Sequence, residues 1–144
     1  LATYAANKNI NVIVENHGGF SSQPEKLMQV INALNMPNSG TLPDFGNWCI
    51  KWDRKSKTCK LKYDDYYKGI KLMMPAAKAV SAKSNDFDEN GNEIRIDYVK
   101  MLQIVKNAGY NGYIGIEYEG QRLSELEGVI ATRNLLINAA KELK

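Results

Sequence analysis

Histidine occurs once, cysteine twice and proline four times in the 144 residues. One histidine, His17, leaves no cluster from which a histidine-rich metal centre could be built. Cys49 and Cys59 are not spaced as C-x-x-C and no second pair accompanies them, which argues against zinc. Two free thiols in a cytoplasmic protein are the default expectation; a disulfide closing the loop between them is the exported alternative. No apolar run approaches the roughly 18 residues that cross a bilayer, so no membrane partner is expected. No basic-plus-apolar leader is visible, but the chain opens at Leu1 in what reads as the end of a helix already in progress. It is therefore expected to be cut from something longer. A cytoplasmic location is expected, and the missing N-terminus leaves export open. The net charge of +3 is mild. Basic residues gather only at 51–57 (KWDRKSK), which reads as a solvated loop, and no nucleic-acid partner is expected. G-x-G-x-x-G and Walker patterns are absent, which disfavours an open nucleotide-binding α/β domain.

What is present is a repeated strand-then-helix order. Residues 10–15 (INVIVE) read as a β-branched strand ending in a Gly-rich turn. Ser22 is placed to cap a helix with Pro24 in its first turn, and Leu27, Val30, Ile31 and Leu34 recur at helical spacing. Residues 39–42 form a second short strand, closed by Pro43-Asp44-Phe45-Gly46. A long loop runs to about residue 62, and a helix over 64–74 stops at Pro75. Residues 78–84 (KAVSAKS) are a third strand. Asp97 caps a helix over 98–108 that Gly109 ends. Residues 113–118 (YIGIEY) are a fourth strand, and Ser124 opens a last helix. Strands alternating with helices imply right-handed βαβ units and a parallel sheet. The near-continuous apolar character of the strands suits a sheet covered on both faces.

The polar residues fall at one place in each unit. The first strand ends in Glu15-Asn16-His17, and the second in Asp44 with Asn47 beyond it. The third ends in Ser81, Lys83 and Ser84, and the fourth in Glu117 with Glu119 beyond. In a parallel barrel these C-terminal strand ends converge on one mouth. Glu117 and Glu119 face the same way, and only the one nearer the core is expected to reach the centre. Three converging carboxylates would repel one another unless a hard divalent cation, Mg²⁺ or Mn²⁺, shared their oxygens. Helix capping is the bland alternative for any one of them. Lys83 could bind a substrate oxyanion or pair with a carboxylate. Trp48 could stack on a sugar face or simply pack within the loop. Residues 86–91 (DFDENG), with Asp97 at the twelfth place, mimic the start of a calcium loop. They follow a strand rather than a helix, and an Asn-Gly turn is the better reading.

The runs 14–19 (VENHGG), 42–47 (LPDFGN), 82–88 (AKSNDFD) and 115–120 (GIEYEG) resemble strands five to eight of the xylose isomerase-like TIM-barrel superfamily of sugar isomerases and epimerases. The resemblance covers residues 10–144, with ENHGG and PDFGN its most specific parts. It implies a (β/α)8 TIM barrel of which residues 1–144 are the C-terminal (βα)4 half, since a whole barrel needs about 250 residues. It also implies a small-molecule sugar or polyol substrate. The exposed half-barrel is expected to self-associate or to pair with a missing N-terminal half. The superfamily's metal-binding strand ends fall on Glu15, Asp44, Ser81 and Glu117. Glu15 and Glu117 then form the acid/base pair, and Glu15, Asp44 and Glu117 hold Mn or Mg. His17, Asn47, Trp48 and Lys83 become substrate-binding candidates. Two positions depart from the pattern. Ser81 stands where a histidine ligand belongs, which weakens the metal site unless His17 compensates, and Asn47 stands where a histidine would complete Asp-x-x-His. The alternatives are a non-catalytic half-barrel or carbohydrate-binding remnant, a dehydratase or lyase using the same α-proton abstraction, and the superfamily's endonuclease branch. The single histidine ranks that branch last.

Overall fold

The computed structural model describes residues 1–143, so Lys144, the end of the expected domain, lies outside the described residues. A short helix α1 (Ala2–Ala6) precedes β1 (Val12–Glu15), α2 (Pro24–Leu34) and β2 (Ser39–Leu42). A hairpin of β3 (Cys49–Asp53) and β4 (Thr58–Lys62) follows. Then come α3 (Tyr66–Met73), β5 (Val80–Ser84), α4 (Tyr98–Asn107), β6 (Ile114–Tyr118) and α5 (Glu125–Lys141).

The four strands expected from the sequence are parallel. β1 pairs with β2 in the register Val12↔Ser39 to Glu15↔Leu42, and β5 pairs with β6 from Val80↔Ile114 to Ser84↔Tyr118. Parallel bridges Thr41↔Ala77 and Asp44↔Ser81 join the two pairs. Backbone hydrogen bonds from Lys78 to Thr41 (3.0 Å) and from Ser81 to Pro43 (2.9 Å) continue the ladder. The order β1-β2-β5-β6 is chain order, as in an arc of a (β/α) barrel. Helices α2, α3, α4 and α5 pack each against the next along the outside of the arc. The core between helices and strands is built on Phe45, Trp48, Ile70, Met73, Val80, Ala82 and Met101, all essentially inaccessible.

Several local expectations are corrected. The segment between β2 and α3 is an antiparallel hairpin rather than a loop, and Cys49 and Cys59 are joined by a disulfide rather than left as thiols. Ser22 does not cap α2, whose N-cap is Gln23. The Ser22 hydroxyl instead accepts from the Gly18 amide at 2.7 Å and donates to the Asn47 carbonyl at 2.6 Å. It ties together the two loops that carry the candidate site. Pro75 does not stop the helix outright; α3 tightens into a 3-10 turn, Met74–Ala76, because proline is tolerated in a first turn. Asp97 caps α4 by accepting from the Lys100 amide at 3.0 Å. The calcium-like run is a turn. Phe87 pairs with Glu93, Gly91 has φ +81, and the Asp88 carboxylate is used by the amides of Asn90 and Asn92.

Candidate active site

The C-terminal ends of β1, β2 and β6 bring Glu15, Asp44 and Glu117 together. One carboxylate oxygen of each lies within 4.8 Å of the others. Asp44 is wholly buried there. Its Oδ1 accepts from the amides of Gly46 and Asn47, both at 2.9 Å, and its Oδ2 has no hydrogen-bond partner. Burial lifts the Asp44 carboxyl to about 6, with the charge of Glu15 adding to the rise. The nearby Ser81 hydroxyl, the hydrogen bond from the Gly46 amide and the charge of Lys83 oppose it.

Asn16 holds Asp44 in place. Its side chain donates to the Asp44 carbonyl at 2.9 Å and accepts from the Asp44 amide at 2.7 Å, as a β-strand neighbour would. Asn16 is fully buried, a role that no feature of its place beside Glu15 and His17 in the sequence marks. Its type was the available signal, since a buried carboxamide must find donors and acceptors on both sides. Asn47 holds Glu15 by donating from Nδ2 to Oε1 at 3.0 Å. The asparagine at this position therefore positions an acid.

Lys83 runs inward from β5 and is 2% exposed. Its ammonium lies 2.7 Å from Glu117 Oε1 and 3.0 Å from Glu119 Oε1. Both carboxylates thus reach the same cation, but only Glu117 joins Glu15 and Asp44 in the carboxylate cluster. Burial alone would lower the ammonium pKa. The hydrogen bond to Glu117 and the charges of Asp44 and Glu119 outweigh it, and the net shift is upward. The lysine stem crosses Gly46 so closely that a Cβ there would sit 2.5 Å from Lys83 Cγ.

Three other candidates stand as follows. Trp48 is not available to a ligand. Its indole is 1% exposed, donates to the Phe45 carbonyl at 2.8 Å and stacks on Tyr66 at 6.0 Å. Trp52 of the hairpin is the exposed indole at this mouth. His17 is exposed and lines the cleft, but it is not part of the carboxylate cluster, so it does not replace the missing ligand. Ser81 is buried beside Asp44, across the bridge between their strands.

The orphaned Asp44 Oδ2 and the two neighbouring glutamates form a compact set of hard oxygens, which fits a divalent cation such as Mg²⁺ or Mn²⁺. Ser81 adds no strong ligand, so water or substrate oxygens would complete the shell. Lys83 and Asn47, which pair with Glu117 and Glu15, line a neighbouring cleft of about 720 Å³ that runs from Lys83 and Glu119 to the hairpin. Among the described residues, no helix is long and apolar enough to cross a membrane.

A family model described as xylose isomerase-like TIM barrel matches residues 1–139. A segment of 54 residues is 39% identical to a C-glycoside deglycosidase alpha subunit from Arthrobacter globiformis. That segment covers 38% of this chain and 15% of that subunit, so the chain spans a small part of the curated relative it matches.

Proposed function

The chain belongs to the xylose isomerase-like TIM-barrel family, and on that premise we propose that it carries the acid/base half of a sugar or keto-polyol isomerase or epimerase working by proton transfer. The observation that carries this reading is the convergence of Glu15, Asp44 and Glu117 within 4.8 Å of one another at the strand ends. In this reading one glutamate removes the proton from the carbon beside a carbonyl. The other returns a proton to the neighbouring carbon, or to the opposite face of the same carbon. Asn47 aims Glu15 and Lys83 aims Glu117. The ammonium, kept protonated by its carboxylate neighbours, also places a fixed positive charge where the enolate oxygen develops. Glu15, Asp44 and Glu117 would hold a divalent cation, which when bound polarises the substrate's carbonyl and hydroxyl oxygens.

Elimination is a second reading. The same proton abstraction can expel a group on the next carbon, and the likeness to a C-glycoside deglycosidase alpha subunit supports it. Product analysis separates the two, since isomerisation conserves the sugar's formula and elimination divides it. For the compartment, the Cys49–Cys59 bond supports the exported alternative over the cytoplasmic default.

Steady-state kinetics of the full chain on a panel of aldoses, ketoses and keto-polyols tests the proposal. Glu15→Gln and Glu117→Gln should each lower kcat by roughly 10²-fold or more, with KM changed less. Unchanged kcat in both variants would remove the acid/base assignment. Sugar binding without turnover in the parent would favour the carbohydrate-binding alternative.

A further inference from the structure

The β3–β4 hairpin is built as one wall of the cleft. Its base is anchored by the Gly19 amide donating to the Cys49 carbonyl at 2.9 Å and by the Tyr63 amide donating to the Trp48 carbonyl at 2.9 Å. The disulfide between Cys49 and Cys59 ties its two strands together. The hairpin is rich in basic residues, and they divide into two groups. Lys60 pairs with Asp53 at 3.7 Å, and Lys51, Lys55 and Lys57 are not among the residues that line the cleft. Arg54 and Lys62 line it. Arg95 lines the same cleft from the β5–α4 connection, a segment remote in sequence. Among the described residues neither Arg54 nor Arg95 has an ion-pair partner, although the chain carries many carboxylates. Glu119 is the one acid in the lining, and Lys83 already neutralises it. The exposed Trp52 ring supplies an apolar platform on the same wall.

The cleft is therefore unevenly charged: at the strand ends Lys83 separates it from the carboxylate cluster, and the rest of its lining holds the unpaired guanidinium groups of Arg54 and Arg95 and the Trp52 indole. We propose that the hairpin wall is a distal subsite for an oxyanion. It selects sugars that carry a carboxylate or phosphate away from the reacting carbon, with Arg54 and Arg95 on the anion and Trp52 against the ring's apolar face. Planar guanidinium forks match both oxyanions through paired hydrogen bonds, and an aromatic face suits the C–H side of a pyranose. A substrate bound this way presents its uncharged carbonyl end to the mouth. The anionic carboxylate cluster would otherwise repel the charged end. The proposal rests on the proton-transfer reading only for which end of the cleft holds the reacting carbon.

Calorimetric titration of the full chain carrying Glu15→Gln, at low salt, with D-glucuronate, D-glucose 6-phosphate and D-glucose tests it. That background lacks one member of the proposed acid/base pair, so binding is read independently of turnover. At least one anionic sugar should bind about tenfold or more tightly than D-glucose, and the better of the two identifies the oxyanion. Arg54→Gln with Arg95→Gln should erase the preference and leave D-glucose affinity within about twofold. Both arginines are exposed, so the fold tolerates the change. Equal affinity for all three sugars, no binding by either anionic sugar, or a preference that survives the double substitution would each overturn the subsite. Any of these would leave the proton-transfer reading untouched. Conversely, an anion preference in a protein that never exchanges a substrate proton would leave the subsite standing.

Discussion

Asp44 bears the electrostatic cost of the site. Its folded-state pKa of about 6 lies above the 3.8 of an unperturbed aspartate. The folded state therefore holds a proton that the unfolded state has released, and stability falls as pH rises from about 4 to about 6. Above pH 7 the ionised form costs the metal-free protein on the order of 2–3 kcal/mol. Asp44→Asn keeps an acceptor for the amides of Gly46 and Asn47 and removes the charge. Urea denaturation without metal should show that variant more stable than the parent at pH 7.5 and equal to it near pH 4. A parent whose stability rises between pH 4 and 7 while the variant's stays flat would contradict this. Gly46→Ala should act through Lys83, whose stem occupies the space of the new methyl group. Displacing the ammonium from Glu117 should lower kcat about tenfold or more, with little change in KM. An unchanged kcat would show that Lys83 does not position Glu117. At this scale the acidic residues were legible because their types and strand-end register are local. Asn16 and the role of Asn47 were not, because a carboxamide's partners are set by folding.

Among the elements, the four parallel strands and their helices were readable from β-branched runs, 3.6-residue periodicity and caps at Asp97 and Ser124. The last of these forms a reciprocal capping box with Glu127. The β3–β4 hairpin was not. Its strands do alternate, Ile50-Lys51-Trp52-Asp53 and Thr58-Cys59-Lys60-Leu61-Lys62, but they are short and mostly exposed, and the basic run 51–57 reads as a solvated loop. Its turn lacks an Asn-Gly or Asp-Gly pair; Lys57 takes the left-handed conformation instead, at φ 51. With weak local signals, pairing rests on the anchored base and on the disulfide. The bond closes a short loop, and such links contribute roughly 2–3 kcal/mol by restricting the open chain. Cys49→Ser with Cys59→Ser should leave the helical circular dichroism intact and make the 53–58 turn cleavable by trypsin at least several-fold faster. Equal cleavage rates with and without the bond would show that the hairpin's contacts alone hold it.

At the scale of the molecule, β1 and β6 each pair on one side only among the described residues. Val14 of β1 is exposed, as are Ile10 and Tyr113 just beside the two edge strands. Bare parallel edges are rare, and apolar area left in water costs about 25 cal/mol per Å². We propose that this arc is half of a closed barrel, completed by a preceding half or by a second copy. Alone at micromolar concentration the chain should self-associate. Sedimentation equilibrium returning a clean monomer near 16.2 kDa, with cooperative unfolding, would contradict the half-barrel proposal. The arc was legible because strand order follows chain order; its closure was not, because the partners of an edge lie outside it. The proton-transfer mechanism itself is tested most directly by solvent deuterium. With the completed barrel and a turned-over sugar in D₂O, NMR should show one deuterium entering at the carbon beside the carbonyl. Glu15→Gln and Glu117→Gln should each slow that entry by roughly 10²-fold. Turnover with no deuterium in the product, or entry at the parent rate in both variants, would contradict proton transfer by this carboxylate pair.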